Sequence, residues 1–494
     1  LADKGYPLAR ILGLLLLAYF SWLLGSLGVT YSRLTIALVF LGIVITGTLL
    51  FYNEFARQLH RRSNLPANET ASSEEHPPRG FMQYLKKEWN SNRRYYLIIE
   101  GLFLAFFLID LVIRIANPDL WHPSKGGERP MDLSYLMAVM KSASFPPYDP
   151  WFAGGYLNYY YFGFVLVGTP IKLLGLTPTV AYNYILPTLF ALVGVGAFSI
   201  GWNLVASGKW KVGSGVKREE TPQTTDHRLL TTENRPLFAG LAASAFMLLL
   251  GNLGTIRAIY QGLQRIVDPT AHTADISVFK HFSFAMQGLW KTITEGALLP
   301  IGRGDWYWFP SRVIPAPGDV EPITEFPLFT FLYSDLHAHM IVLPLALLAI
   351  AWAISFLGAR LNGKNSLTQI AVEITVASLI VGALRPTNTW DLYAYLPLLS
   401  IVIAYALIRF FCTRKDTDST EKAQKSFAPW NPCESVYQRV FVAIGGVALF
   451  VILTNLLYQP YIANFGQAYG EINLWEGTHT PLSSYFTHWG LLLF

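Results

Sequence analysis

Three short stretches of this 494-residue chain hold the side chains best suited to chemistry, and each stands at the end of an apolar run. "KGGERPMDLSYL" carries Glu128, Arg129 and Asp132, "YSDLHAHM" carries Asp335, His337 and His339, and "RPTNTWD" carries Arg385, Asn388, Trp390 and Asp391. A carboxylate can accept the proton of a hydroxyl nucleophile, which makes Asp132 a candidate general base. Asp132 also precedes Leu133, Leu136, Met137 and Met140, spaced as one face of a helix lying on the membrane. Capping the free N–H groups at that helix start is the structural role for the same side chain. Asp335, His337 and His339 alternate, so an extended segment points all three one way, an arrangement suited to a divalent metal or a phosphate. On a helix only Asp335 and His339 share a face. Two histidines and an aspartate just before a spanning run favour a functional cluster over a polar membrane edge. Arg385 closes one apolar run and Asp391 opens the next. They read either as a snorkelling arginine and a helix cap, or as an arginine that neutralises a phosphate at the membrane surface.

A fourth stretch, "WFAGGYLNYYYFGF", places Tyr159, Tyr160 and Tyr161 after Asn158. Consecutive helical residues turn by about 100°, so the three phenols cannot share a face. One is expected at the lipid headgroups, and the others, with Asn158, in a polar groove; belt anchoring alone is the alternative. Gly154 and Gly155 permit the close turn ahead of them. Trp121, Trp151, Trp306, Trp308 and Trp390 are belt residues or platforms for a sugar ring.

The elements that must position these residues are membrane helices. Hydrophobic residues make up 52% of the chain and charged residues 14%, too few to solvate a globular surface of this size. A span takes about 20 apolar residues. Such runs occur at 8–28, 34–52, 96–116, 179–206, 237–261, 340–358, 367–384, 392–411 and 438–457, with another beginning near 486. The fold class is therefore all-α, a polytopic transmembrane helical bundle. The net charge of +5 comes without any basic, aromatic-studded module, and no nucleic-acid partner is expected. Cys412 and Cys433 share one basic loop and are expected as free thiols. The chain opens at Leu1 and stops within the apolar "HWGLLLF", and reads as a piece of a longer protein.

Loop charge orients the bundle. Loops 53–95, 207–236 and 412–437 carry eight, six and four Lys/Arg, whereas 458–485 carries none and has Glu471 and Glu476. The positive-inside rule puts the first three in the cytoplasm and the last outside. The "NET" sequon at Asn68 then falls on the cytoplasmic side and is a chance match. That parity holds only if 160–175, interrupted by Gly163, Gly168 and Pro170, does not cross; it is expected as a juxtamembrane or re-entrant helix on the outer side. The organisation is a helix pair at 1–52, a basic cytoplasmic loop at 53–95, and a membrane domain at 96–494 with long outer loops 117–178 and 262–339. "DISVFKHFSFAMQGLWKTI" in the second loop has the spacing of an interfacial helix.

"GGYLNYYYFG", with "ERPMD" before it and "SDLHAH" and "RPTNTWD" after it, resembles the uncharacterised YYY-domain membrane proteins of bacteria and archaea (domain of unknown function 2298), from about residue 95 onward. The layout in turn resembles the GT-C glycosyltransferases. That resemblance implies a sugar donor on polyprenyl phosphate or pyrophosphate, an unknown acceptor, and a site at the outer face of the plasma membrane, among membrane lipids. Asp132 matches the catalytic acidic residue of the first outer loop, with Glu128 assisting or holding a metal. Asp335, His337 and His339 would bind a divalent ion, Mg or Mn, or the carrier phosphate. Arg385 would stabilise the leaving phosphate, with Asn158, Tyr159, Tyr160, Asn388, Trp390 and Asp391 lining the substrate groove. Two helices precede the GT-C-like part, and "ERPMD" stands where those enzymes have an acidic pair. A lipid or solute transporter of flippase type and a structural subunit of a membrane complex are the alternative readings. Clustering of charge at helix ends, away from the bilayer midplane, weighs against the transporter.

Overall fold

The computed structural model describes residues 1–63, 80–116, 118–120, 127–206, 234–271, 274–302, 304–315, 322–360, 366–422, 436–466, 473–474 and 476–493. The sequon at Asn68, Trp121, the basic residues of 207–233, Cys433 and Glu471 lie outside them. In chain order the helices are α1 (Ala9–Ser26), α2 (Arg33–Ser63), α3 (Phe81–Ala116), α4 (Arg129–Lys141), α5 (Tyr161–Leu174), α6 (Pro178–Ala206), α7 (Arg235–Leu249), α8 (Gly254–Val267) and α9 (Val278–Glu295). They continue with α10 (Asp305–Trp308), a 3₁₀ turn (Phe309–Arg312), α11 (Pro327–Tyr333), α12 (Ala338–Arg360), α13 (Leu367–Thr387), α14 (Thr389–Lys422), α15 (Val436–Leu456), α16 (Gln459–Ile462) and α17 (Leu482–Leu493). Among the described residues there is no strand, only one isolated bridge between Tyr148 and Tyr156.

The chain forms two compact units, Leu1–Ser244 with Leu336–Gly466, and Ala245–Asp335 with Gln467–Phe494. Eight described helices are long and apolar enough to cross a membrane, namely α1, α2, α3, α6, α12, α13, α14 and α15, and all lie in the first unit. A helix satisfies its own backbone in lipid, which is why a chain of this composition builds its membrane part this way. The spans of α6 and α12 are 72% buried and that of α2 only 6%, so the former make the bundle's centre and the latter its margin. Small residues let helices approach closely. At Gly382 of α13, an added Cβ would stand 2.5 Å from the ring of Tyr458. Where a loop was expected at 53–95, α2 runs on to Ser63 and α3 begins at Phe81.

The apolar stretch 160–175 forms the 14-residue α5, shorter than a span, but it does not lie on the bundle's surface. Ten of its residues are buried, packed against α1, α2, α4 and α13. Gly163 and Gly168 admit this packing, because a Cβ there would come within 3.3 Å of Ile341 and 3.4 Å of Leu136. Gly175, left-handed at φ 73°, ends the helix.

The expected span 237–261 is two helices, α7 and α8, bent by 57°. The Phe326 ring fills the space beside Gly251 at the break. Asn252 accepts a hydrogen bond from the Gly254 N–H (2.9 Å) and donates to the Pro310 carbonyl (2.6 Å), fixing the entry to α8. The predicted interfacial helix is α9, capped by the Ser277 side chain, with Phe279, Phe282 and Trp290 exposed. Near residue 486 the chain forms α17, of which Leu482–Leu493 are described.

Candidate functional site

The site lies in the first unit, where the loop before α4, the loop before α5 and the start of α12 come together. Helix α4 begins at Arg129, with Pro130 in its first turn. Glu128 is therefore the cap position, and Asp132 lies in the first turn without being the cap. The buried face of α4 carries Arg129, Asp132, Tyr135, Leu136 and Val139, rotated from the expected face of Leu133, Leu136, Met137 and Met140. Asp132 is fully buried, whereas the Glu128 side chain is 56% exposed.

"DLHAH" is neither wholly extended nor wholly helical. Asp335 to His337 precede α12, and His339 lies in its first turn. The turn brings the two imidazoles together, Nδ1 to Nδ1 at 2.9 Å. On its other edge, His337 Nε2 meets Glu128 Oε2 at 2.7 Å and the Tyr159 phenol oxygen at 2.8 Å. Glu128, Tyr159, His337 and His339 thus form one continuous chain of polar contacts. The hydrogen bond from His337 holds the Glu128 carboxyl below its ordinary range; burial opposes this, and the charges of His337 and His339 reinforce it. Burial, then the negative charges of Glu128 and Asp132, pushes the Tyr159 phenol well above its ordinary 10, so it stays protonated. The Tyr135 ring lies tilted against that of Tyr159 at 5.2 Å, and its phenol is raised by burial and by Asp149, Asp132 and Glu128. Asp391 interacts electrostatically with His339.

The three tyrosines part as consecutive residues must. Tyr159 turns to His337, and Tyr160 faces Phe465 at 6.2 Å. Tyr161 is buried, taking a hydrogen bond from the Trp22 indole (3.3 Å) and packing on Tyr461. The Asn158 amide clasps Gly466 twice, donating to its carbonyl (3.1 Å) and accepting from its N–H (2.9 Å). Arg385 donates to Asn455 (3.1 Å) and lies within electrostatic range of Tyr461. "RPTNTWD" is the one-residue break between α13 and α14: Asn388 is extended, its side chain donates to Asp391 at 2.6 Å, and Trp390 is exposed. Trp151, also exposed, donates to Ser134 on α4.

Asp335 is buried and belongs to the second unit. As for a metal, the two nitrogens are 2.9 Å apart, closer than the about 3.3 Å that tetrahedral ligands at about 2.0–2.1 Å keep, so they must separate slightly to share such an ion. Glu128 lies on the opposite ring nitrogen, where it would orient His337 rather than bind the ion. Among the described residues no group of three His, Cys, Asp or Glu side chains is arranged to hold a metal, so the pair fits an ion only as two of its ligands.

Sequence reasoning passed over Tyr135 and the pair Asp110 and Arg114. Both charges are buried on the span α3, where Arg114 takes the Asn183 side chain of α6 as acceptor (3.1 Å from Nε). Two opposite charges four residues apart inside "FFLIDLVIRIA" were the available signal.

Among the described residues, eight helices long and apolar enough to cross a membrane, with a titratable cluster beside them, define a polytopic helical membrane protein. The chain belongs to the uncharacterized membrane protein family DUF2298, whose model matches residues 16–494 and so takes in α1 and α2 as well as the motif-bearing part. No curated protein and no solved structure matches it.

Proposed function

We propose that this protein is a GT-C-type glycosyltransferase that moves a sugar from a polyprenyl-phosphate carrier to an acceptor hydroxyl at the outer face of the plasma membrane. The observation that carries this reading is the contact of exposed Glu128 with His337, which is backed in turn by His339. The acceptor oxygen attacks the anomeric carbon while the carbon–oxygen bond to the carrier phosphate breaks. The hydroxyl proton passes to Glu128, and the carrier leaves as its phosphate. The 2.7 Å contact with His337 Nε2 orients the Glu128 carboxylate and keeps it ionised, ready to take that proton. Glu128 takes the place that the sequence assigned to Asp132, because a fully buried carboxylate cannot meet an acceptor without rearrangement. Burial, reinforced by Asp132 among the neighbouring carboxylates, raises the Tyr159 and Tyr135 phenols. Arg385, in the last turn of α13, neutralises the leaving phosphate. Exposed Trp390 and Trp151 offer faces for a sugar ring.

Transport is the second reading, favoured by the buried Asp110 and Arg114. Arg114, however, lies in the last turn of α3, near a helix end rather than at mid-span. The two readings separate when purified protein in liposomes is given a panel of synthetic polyprenyl-phosphate sugars and a membrane extract as acceptor. Loss of one donor with appearance of the free carrier phosphate marks the enzyme; movement of an intact donor between leaflets marks the transporter. Sidedness is read from a single cysteine at exposed Ala153, in a background lacking Cys412 and Cys433. An impermeant thiol reagent should label it in intact cells, and labelling only after lysis would place the site in the cytoplasm.

A further inference from the structure

The second unit holds a cavity of about 300 Å³ whose walls carry three guanidinium groups. Arg257, Gln261 and Arg265 lie at i, i+4 and i+8 on α8, one polar stripe about 12 Å long. Arg312 comes from the 3₁₀ turn Phe309–Arg312, which packs on α8. Its guanidinium is held in place: Nη1 donates to the Ser311 carbonyl (2.8 Å) and hydroxyl (2.9 Å), and the group lies over the Trp308 ring at 4.6 Å. Small residues bring the two segments together. A Cβ at Gly254 would come within 2.6 Å of the Pro310 backbone.

Among the described residues the charge balance of the cavity is one-sided. Glu325 approaches Arg312 at 3.9 Å, whereas Arg257 and Arg265 have no hydrogen-bond or ion-pair partner among the described residues. Like charges gathered around one cavity repel unless an anion stands between them. Arginine presents a planar fork that meets phosphate oxygens two at a time, and a strut such as Arg312 gives that fork a fixed direction. The volume is at the lower end for a ligand site and suits a compact head rather than an extended chain. On the other side of α8, Ile256 and Ile259 are 63% and 44% exposed, as on a helix whose apolar side rests in lipid.

We propose that this cavity is a binding site for a phosphate-bearing group, with Arg257, Arg265 and Arg312 as its ligands. The group is either a lipid headgroup or soluble phosphate. The site is independent of the glycosyltransferase reading, since no residue is shared with the cluster around Glu128.

The test uses the full chain in detergent and in phosphatidylcholine nanodiscs. Two probes are measured, inorganic pyrophosphate by calorimetry in detergent and phosphatidic acid doped into the nanodiscs by native mass spectrometry. The paired variant Arg257→Gln with Arg265→Gln should weaken binding about tenfold or more. The pair Arg257→Lys with Arg265→Lys should fall between, since it keeps the charge and loses the fork. Both should melt as wild type does, because neither guanidinium carries a contact of its own. Saturable binding of pyrophosphate that is lost in the glutamine pair supports a soluble ligand. Binding of phosphatidic acid alone, lost in the same pair, supports a headgroup. Wild-type binding in the glutamine pair, or no saturable binding of either probe, overturns the site.

Discussion

The Nε2 atom of His337 is shared: it lies 2.7 Å from the Glu128 carboxylate and 2.8 Å from the Tyr159 phenol. One imidazole therefore joins a residue of the α4 entry to a residue of the tyrosine run. The pH dependence follows from its effect on Glu128, whose folded pKa is depressed below the ordinary 4.5, first by the hydrogen bond from His337. A depressed carboxyl contributes its stabilisation above the unfolded value and loses it as the pH falls through the folded one. Thermal melts taken from neutral pH down through 4.5 should therefore lose stability more steeply in wild type than in Glu128→Gln. Parallel acid limbs would show that the contact contributes nothing in solution.

Tyr159→Phe removes one hydroxyl and leaves the ring against Tyr135 and Tyr160. The phenol is protonated at neutral pH, so what is lost is a neutral hydrogen bond to His337, worth roughly 0.5–1.5 kcal/mol. Donor consumption should fall by about tenfold at most, and the pH profile should shift, because the imidazole has lost a partner. An unchanged pH profile would make Tyr159 a packing residue only.

A divalent ion held by the His337 and His339 Nδ1 atoms would make activity sensitive to chelation and restorable by added Mn. Protons compete for imidazole, so affinity should fall as the pH drops through about 6.5. Full turnover in excess chelator would leave the histidine pair as a hydrogen-bonded relay without metal.

Gly382→Leu tests the bundle rather than the chemistry. A Cβ at this position would stand 2.5 Å from the Tyr458 ring and 2.9 Å from the Thr454 carbonyl oxygen, so α13 must shift from α15. Overpacking of this kind costs about 1–3 kcal/mol, and should appear as a lowered melting temperature. An unchanged melt would mean that the two helices are not in contact.

The membrane spans were legible because length and apolarity alone define them in lipid. The chemistry-bearing clusters were legible as types and spacing, and "RPTNTWD" is the helix–helix break that its sequence describes. What could not be read was rotation. A shift of one residue turns a helix by about 100°, and that shift puts Asp132 in the interior and leaves Glu128 outside. Nor does local sequence say that α5 is a core helix. Its apolarity fits lipid and protein equally well, and only the contacts of Gly163 and Gly168 decide between them. The α8 arginines escaped notice because the run 237–261 resembled one continuous span, and the break at Gly251 and Asn252 depends on Phe326 and Pro310, distant in sequence.

The most direct measurement is the rate at which Glu128→Gln in liposomes consumes the polyprenyl-phosphate sugar that wild type uses. Glutamine keeps the size and the contact with His337 but cannot take a proton. The account predicts a loss of about 10²–10⁴ in rate at neutral pH with an unchanged fold, and a smaller loss for Asp132→Asn. Wild-type turnover by Glu128→Gln, or no donor consumed by wild type, would contradict it.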